Sequence, residues 1–513
     1  MSTHVPWLTL VMVIPVGTAL LLQLIPRESR TAIKVVTIGS TAAVAIIVGL
    51  LVGSIPRSIG TGAPLTLYFQ EQLKWIPAIN ASYHLGIDGL SGWLLALNAG
   101  VFLLGALAVS AKGTDRLRFY CSLMLITETA TSGVLLSIDL LLFYFFWEGM
   151  LVPLYFILGN FGGPNRGRAT LKFIIYTTAG SLLMLIAIIF TGIGHSFDLQ
   201  TLLQPAQAVQ PRLVIPGINV ATLTSQQFLF ICFALAFAIK IPIVPFHTWL
   251  PDAYESAPAF VLVFFAGIVS KLGAYGFIRY GLTLFAEPIH YFKWILAALA
   301  VFSIIYGAVM ALASTDIKRI VAYASISHLG FVTLGIFSLT QNGLNGAIIQ
   351  IINHGIIISA LFLIVGFIEV RVGTRDRHEI SGLERRMPWL YFFFLVATLA
   401  GLGMPGTNSF VGEFTILLGA FQLQWIYAVA AGGGTILACW YMLRLHQGLM
   451  HGPLKERLEG VRDIRVSEGV LLAPLAALMI FIGVYPRTIG DISKPAVAQY
   501  VGISSQTPAS GTQ

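Results

Sequence analysis

Long apolar runs separated by short polar stretches set the pattern of this chain. A run of about twenty residues with few charges is long enough to cross a bilayer as a helix. Such runs recur at 7–25, 33–53, 86–110, 118–137, 139–159, 170–194, 226–245, 257–280, 292–313, 319–339, 344–368, 390–418, 424–448 and 469–489, which predicts fourteen spans. Only Ser137-Ile138-Asp139 separates the fourth from the fifth. The connections 54–85 and 195–225 are rich in Pro, Gln, Gly and Thr and read as extramembrane loops. The polar tail after Arg487 reads as frayed. The fold class that follows is an all-α polytopic membrane protein.

Composition agrees. Hydrophobic residues make up 57% of the 513 and charged residues 10%, with a mean hydropathy of +0.84. A soluble domain carries about 25% charged residues. The net charge of +8 points to basic loops that set membrane orientation and not to nucleic acid. Cys121, Cys232 and Cys439 stand alone in apolar segments, without metal, cluster or disulfide spacing, and read as small core residues. The first run has no basic residue before it and no small-residue cleavage site after it, so it reads as a retained span.

Lysine and arginine give the orientation. Of the thirty, twenty fall in loops after odd-numbered spans, among them Arg371, Arg375, Arg377, Arg385 and Arg386 in one loop. Seven, including Arg57, Arg212 and Arg279, fall on the other side, and Lys240, Lys271 and Arg444 lie inside spans. The positive-inside rule then places both termini outside, on the periplasmic side of a bacterial inner membrane.

Two spans carry Pro and Gly near their middles. In the seventh, Lys240 is followed by Pro242 and Pro245; in the twelfth, the break reads Gly401-Leu-Gly-Met-Pro405-Gly406. Proline removes a backbone donor and clashes with the preceding turn, so both helices should break. Interrupted helices at matching places in two halves suggest an inverted repeat with the site at the breaks. Glu413 follows Lys240 by 173 residues and Arg444 follows Lys271 by 173, which fits two repeats of opposite topology. The resulting division is 1–117, 118–280, 292–448 and 449–513.

Four ionisable residues stand deep in apolar runs: Glu148, Lys240, Lys271 and Glu413. A charge near the bilayer centre costs roughly 2.5–3.5 kcal/mol on insertion scales, and such residues usually pair and serve transport. A buried amine gives up its proton more readily than one in water, and a buried carboxyl holds its proton more firmly. A nearby opposite charge reverses both tendencies, so moving a partner switches proton affinity. Arginine is never deprotonated in practice, and the choice of lysine at both core positions favours proton transfer over static pairing. His247, His328 and His354 are candidate relays, each weighed evenly against a packing role. Glu128 beside Thr127 and Thr129 is a weaker candidate, and Glu369 and Asp139 read as interfacial. The stretch Gly401–Gly406 fits a dinucleotide fingerprint only in letters, since no strand precedes it and a proline occupies its fifth position. With no P-loop, haem motif or metal cluster, the expectation is a chain without redox chemistry of its own.

Four segments resemble the antiporter-like subunit M (chain 4) family of respiratory complex I, the proton-pumping NADH:quinone oxidoreductase. They are Asp139 to Pro153, Lys240 to Ala253, Ser314 to His328, and Gly403 to Phe414. The resemblance covers most of 118–420. It implies fourteen helices with two inverted five-helix repeats, a glutamate–lysine pair at Glu148 and Lys240, a central Lys271 and a terminal Glu413. It also implies neighbouring antiporter-like subunits and lipid as partners. NADH, flavin, iron–sulfur clusters and quinone would be held by the parent complex and none by this chain. One departure stands out: where the family has His and then Ala-Pro-Thr after Asp252-Ala253, this chain has Tyr254 and Ala257-Pro258-Ala259, then the bulky run Phe260 to Phe265. The change bears on hydration near Lys271. The chain stops soon after its last span, which fits the chain 4 type; subunits of sodium/proton antiporters and of membrane-bound hydrogenases are the alternative readings.

Overall fold

The computed structural model describes residues 5–56, 65–112, 116–204 and 224–505. Parts of both predicted loops (57–64, with Arg57, and 205–223, with Arg212) and the last eight residues lie outside the described residues. Among those described, twelve helices are long and apolar enough to cross a membrane, and two shorter apolar helices, Ser225–Lys240 and Pro388–Gly401, accompany them. The chain is a multi-pass helical membrane protein. Leu117–Leu136 ends and Leu140–Phe161 begins where Ser137-Ile138-Asp139 suggests, because the Asp139 carboxylate accepts the Leu141 and Leu142 amides and caps the second helix.

Burial separates the helices into an inner and an outer set. Ala259–Leu284 and Ile317–Phe337 are buried throughout their apolar stretch and Gln341–Val372 nearly so, whereas Trp425–Met450 and Val466–Val484 turn much of theirs outward. Exposed Leu20, Ile46, Leu50, Ile436 and Trp440 mark apolar faces turned out of the bundle. The inner helices are the ones that carry Lys271, His328 and His354.

Three expectations are corrected. The 54–85 connection contains an antiparallel hairpin, Tyr68–Ile76 with Ala81–Ile87, turned at Asn80 in the left-handed region. It is tied down by the His84–Asp198 bond and by Ser82 N donating to Asp139 at 2.9 Å. The tail does not fray at Arg487: Arg487–Ser505 is a helix whose apolar side, Ile489, Ala496, Val497 and Tyr500, is buried. Its polar spacing is amphipathic, a signal that hydropathy alone discards. Third, Arg279 is no loop cation. It is fully buried and bidentate to Asp88, with both bonds at 3.0 Å; Tyr275 accepts from its Nε at 3.1 Å, and Tyr500 donates to Asp88 at 2.7 Å.

Candidate functional site

The seventh span breaks where its prolines require. Ser225–Lys240 ends, residues 241–248 form turns, and a short helix resumes at Trp249–Ser256. Orphaned backbone groups at such a break must find partners inside the protein. Trp249 Nε1 donates to Ile239 O at 2.8 Å, Ile243 N to Ala238 O at 2.9 Å, and Val244 N to Ser303 Oγ at 3.0 Å. Lys240 is the last residue of the first half-helix, where the negative end of the helix dipole favours an ammonium. Its Nζ is buried without a hydrogen-bond partner and lies over the rings of Trp147 at 5.3 Å and Phe173 at 5.6 Å. Such contacts contribute about 0.5–2 kcal/mol. Glu148 is close enough to act on Lys240 electrostatically, yet the two form no direct ion pair, and Glu148 Oε1 also lacks a partner. The paired geometry that the resemblance implies is therefore loosened to coupling through space. Glu148 borders an apolar groove of about 730 Å³ with Trp75, Tyr144 and Phe145.

The eighth span is also interrupted, contrary to the expectation of two breaks. Ala259–Phe265 stops at Ala266-Gly267-Ile268, a single 3₁₀ turn Val269–Lys271 follows, and the helix resumes at Leu272 with a π-helical stretch at Phe277–Gly281. Gly267 is the one residue that hints at this, and a Cβ there would sit 2.2 Å from Val263 O. Lys271 Nζ, fully buried, donates to the Ala266 carbonyl inside the break at 2.5 Å. The unusual Tyr254 is buried with its ring edge-on to Phe265 at 5.3 Å and Phe362 at 5.4 Å. Aromatic packing fills the ground beside Lys271 on that side.

From Lys271 the polar groups run on toward the twelfth span. His354 lies within electrostatic reach of Lys271, with both ring nitrogens buried and unpartnered. Its ring centroid is 5.6 Å from that of His328. His328 Nδ1 and Glu413 Oε1 are 2.8 Å apart, and Tyr441 OH is 3.3 Å from His328 Nε2. Glu413 Oε1 also accepts from Gln350 at 3.1 Å and from Ser409 at 3.0 Å. The break between Pro388–Gly401 and Asn408–Leu423 folds over this carboxylate: Gly403 has φ +74°, and a Cβ there would meet Glu413 Oε2 at 3.2 Å. Asn353 Nδ2 holds the Asn408 carbonyl at 2.6 Å.

Thus Lys271, His354, His328 and Glu413 are gathered into one buried line, and Lys240 with Glu148 forms a second group. No side-chain hydrogen bond among the described residues joins Lys240 to Lys271; their helices meet where Gly273 and Gly276 crowd Phe237. His247 stands apart, its ring edge-on to Tyr306 at 4.8 Å. Glu128 is buried with neither oxygen bonded. Gln350, Ser409 and Tyr441 went unnoticed in the sequence. Gln350 lies one turn from His354 and Ser409 one turn from Glu413, so helical spacing around the chosen residues was the available signal. The shared offset of 173 does not align the breaks. Lys240 ends the first half of its helix, whereas Glu413 lies in the second half of its own, and Arg444, paired by offset with Lys271, is exposed.

Residues 137–438 match the family model described as NADH:quinone oxidoreductase/Mrp antiporter, TM. The chain belongs to that family. It is 40% identical over 429 residues to NADH-quinone oxidoreductase subunit M of Rickettsia prowazekii, covering 83% of this chain and 85% of that one. With subunit M of Rhodobacter capsulatus the identity is 37% over 507 residues, 96% of each chain. A chain of respiratory complex I from Thermus thermophilus superposes with a TM-score of 0.84 at 28% identity, covering 97% of this chain and 99% of that one. A chain of the Mrp complex from Dietzia superposes at 0.83 with 21% identity, over 97% and 98%, a likeness of fold alone.

Proposed function

We propose that this chain is a proton-translocating subunit of the membrane arm of an NADH:quinone oxidoreductase in a bacterial inner membrane. On this reading it works beside other antiporter-like subunits and leaves redox cofactors to the rest of the complex. The observation that carries the reading is the buried line from Lys271 through His354 and His328 to Glu413, together with a second, unpaired lysine at a helix break. In this scheme Glu148 sets the proton affinity of Lys240. Protons cross to Lys271 when water enters at the breaks, then move through the two imidazoles to Glu413. Lysine, histidine and glutamate are all side chains able to carry a proton, and His328 is within hydrogen-bond reach of Glu413. His247 lies off this line and would serve only an entry branch.

The finer architecture belongs to the same proposal: fourteen spans, the seventh and twelfth broken at prolines and the eighth interrupted at Gly267, with inverted repeats at 118–280 and 292–448. Two features support it. Asp139 caps the fifth span and bridges to Asp198; Asp316 caps the tenth and bridges to Asp376. An i→i−5 bond closes both breaks, Ile243 to Ala238 and Met404 to Leu399. Five spans separate the partners, an odd number, so the two Asp pairs fall on opposite faces. The orientation with the Arg371–Arg386 loop inside is tested by labelling Arg386→Cys, an exposed position; modification only from outside would overturn it.

Proton uptake driven by NADH oxidation in reconstituted vesicles, with native-gel assembly as control, tests the function. Wild-type pumping by an assembled Lys240→Ala and Lys271→Ala pair would refute the path. The Mrp-like fold makes a cation/proton antiporter subunit, or that of a membrane-bound hydrogenase, the second reading. Sodium-dependent proton exchange without NADH oxidation would favour it. The 35–40% identities to subunit M favour the first.

A further inference from the structure

At the ends of the third, eighth, eleventh and fourteenth spans, on the face that carries the Arg371–Arg386 loop, a groove of about 530 Å³ opens outward. Its deep wall is apolar, formed by Phe260, Leu363 and Phe367, and its rim holds Arg371, Arg462 and Arg465. The two carboxylates beside it are already engaged. Asp463 accepts the backbone amides of Trp389, Leu390 and Ile464 at 2.8, 3.2 and 2.7 Å. Glu468 is bonded to Arg371 and accepts Arg465 N at 2.7 Å. Arg371 is further tied to the carbonyls of Arg462 and Asp463. The guanidiniums of Arg462 and Arg465 have no acceptor among the described residues. Next to the rim, Val370, Val466 and Val470 are more than half exposed and Trp389 is 66% exposed, so the mouth meets the acyl region as well as the headgroup layer.

A site that is apolar below, carries two unengaged guanidiniums above and opens to lipid matches one kind of molecule. We propose that this groove binds an anionic phospholipid, with the phosphate between Arg462 and Arg465 and the upper acyl chains against Phe260, Leu363 and Phe367. Guanidinium is the group suited to a phosphate, since its planar fork offers paired donors, and basic pockets between spans on the cytoplasmic side commonly take anionic headgroups. The volume falls in the usual range for a ligand site and holds a headgroup with the first part of its chains. Because Phe260 opens the eighth span, the lipid would border the helix that carries Lys271.

The test is native mass spectrometry of the full chain in detergent, titrated with dioleoyl phosphatidylglycerol or dioleoyl phosphatidylcholine. Wild-type protein is expected to prefer the anionic lipid by roughly tenfold. Arg462→Gln with Arg465→Gln should bring the preference close to one and leave phosphatidylcholine retention unchanged, which also reports an intact fold. Arg385→Gln with Arg386→Gln removes the same charge elsewhere on this face and should leave the preference intact. An equal loss in both double variants would reduce the effect to diffuse surface charge and overturn the site. Displacement of the lipid by millimolar inorganic phosphate would make it a soluble-anion site, and no preference in wild type would dismiss it. In the intact complex, failure to exchange added phosphatidylglycerol in that groove would mean a protein neighbour covers it, which also overturns the proposal.

Discussion

The breaks in the seventh and twelfth spans hold their ionisable groups in opposite ways. Lys240 sits at the end of a half-helix, boxed by Trp147 and Phe173, with no hydrogen bond to its ammonium. Glu413 lies beyond its break in a carboxylate cradle supplied by His328, Gln350 and Ser409. Lys240 has no fixed hydrogen-bond partner, and the nearby carboxylate that acts on it through space is Glu148. A group with three partners has its geometry fixed. Lys271 falls between them, held by the Ala266 carbonyl at the break in its own helix and by the Ser270 hydroxyl at 3.4 Å.

The comparison can be broken most severely at the lysines. Lys240→Ala and Lys271→Ala should each lower NADH-driven proton pumping by roughly tenfold or more, the scale of a lost proton-transfer group, while native gels still show assembled complex. Lys240→Arg sharpens the point. It keeps the charge and the ring contacts but cannot deprotonate, so pumping should fall nearly as far as with alanine; a fully active Lys240→Arg complex would show that only charge is needed there.

At the other break the expected losses are smaller and graded. Glu413→Ala should cost more than Glu413→Asp, which keeps the acid with a shorter reach, and vesicle acidification rates would rank them. Gln350→Leu removes one donor to the carboxylate while His328 and Ser409 remain. A several-fold slowing is expected, in keeping with about 0.5–1.5 kcal/mol for one typical hydrogen bond. Pumping at the wild-type rate in Gln350→Leu would mean the cradle is only structural. The smallest effect belongs to the scaffold: Trp249→Phe leaves Ile239 O without its donor, which should destabilise the protein by about 1–3 kcal/mol. A lowered midpoint in a thermal-shift measurement on the purified chain would register it.

Much of this was legible in the sequence for a simple reason: charge and proline are costly in a bilayer, so Lys240, Lys271, Glu413 and the breaks beside Pro242 and Pro405 announce themselves. What stayed hidden lacks that cost. The break before Lys271 is made by one glycine and no proline. Gln350 and Ser409 are ordinary polar residues until Glu413 faces them. The 173-residue spacing looked like symmetry, but linear distance does not record which side of a break a residue occupies. The helix Arg487–Ser505 was lost because its apolar residues form one stripe and never a continuous run.

That last helix has a consequence for the order in which the molecule can be completed. Asp88, Arg279 and Tyr500 meet in one buried cluster although 191 residues separate the first two and 412 separate Asp88 from Tyr500. During synthesis the third and eighth spans are made long before the phenol that finishes their ion pair. The cluster can therefore be sealed only after Tyr500 has been made and its helix docked. A chain released at residue 486 should insert its spans and still be cut by added protease near Asp88, whereas the full chain resists; equal resistance of the two would show that the ion pair closes without Tyr500.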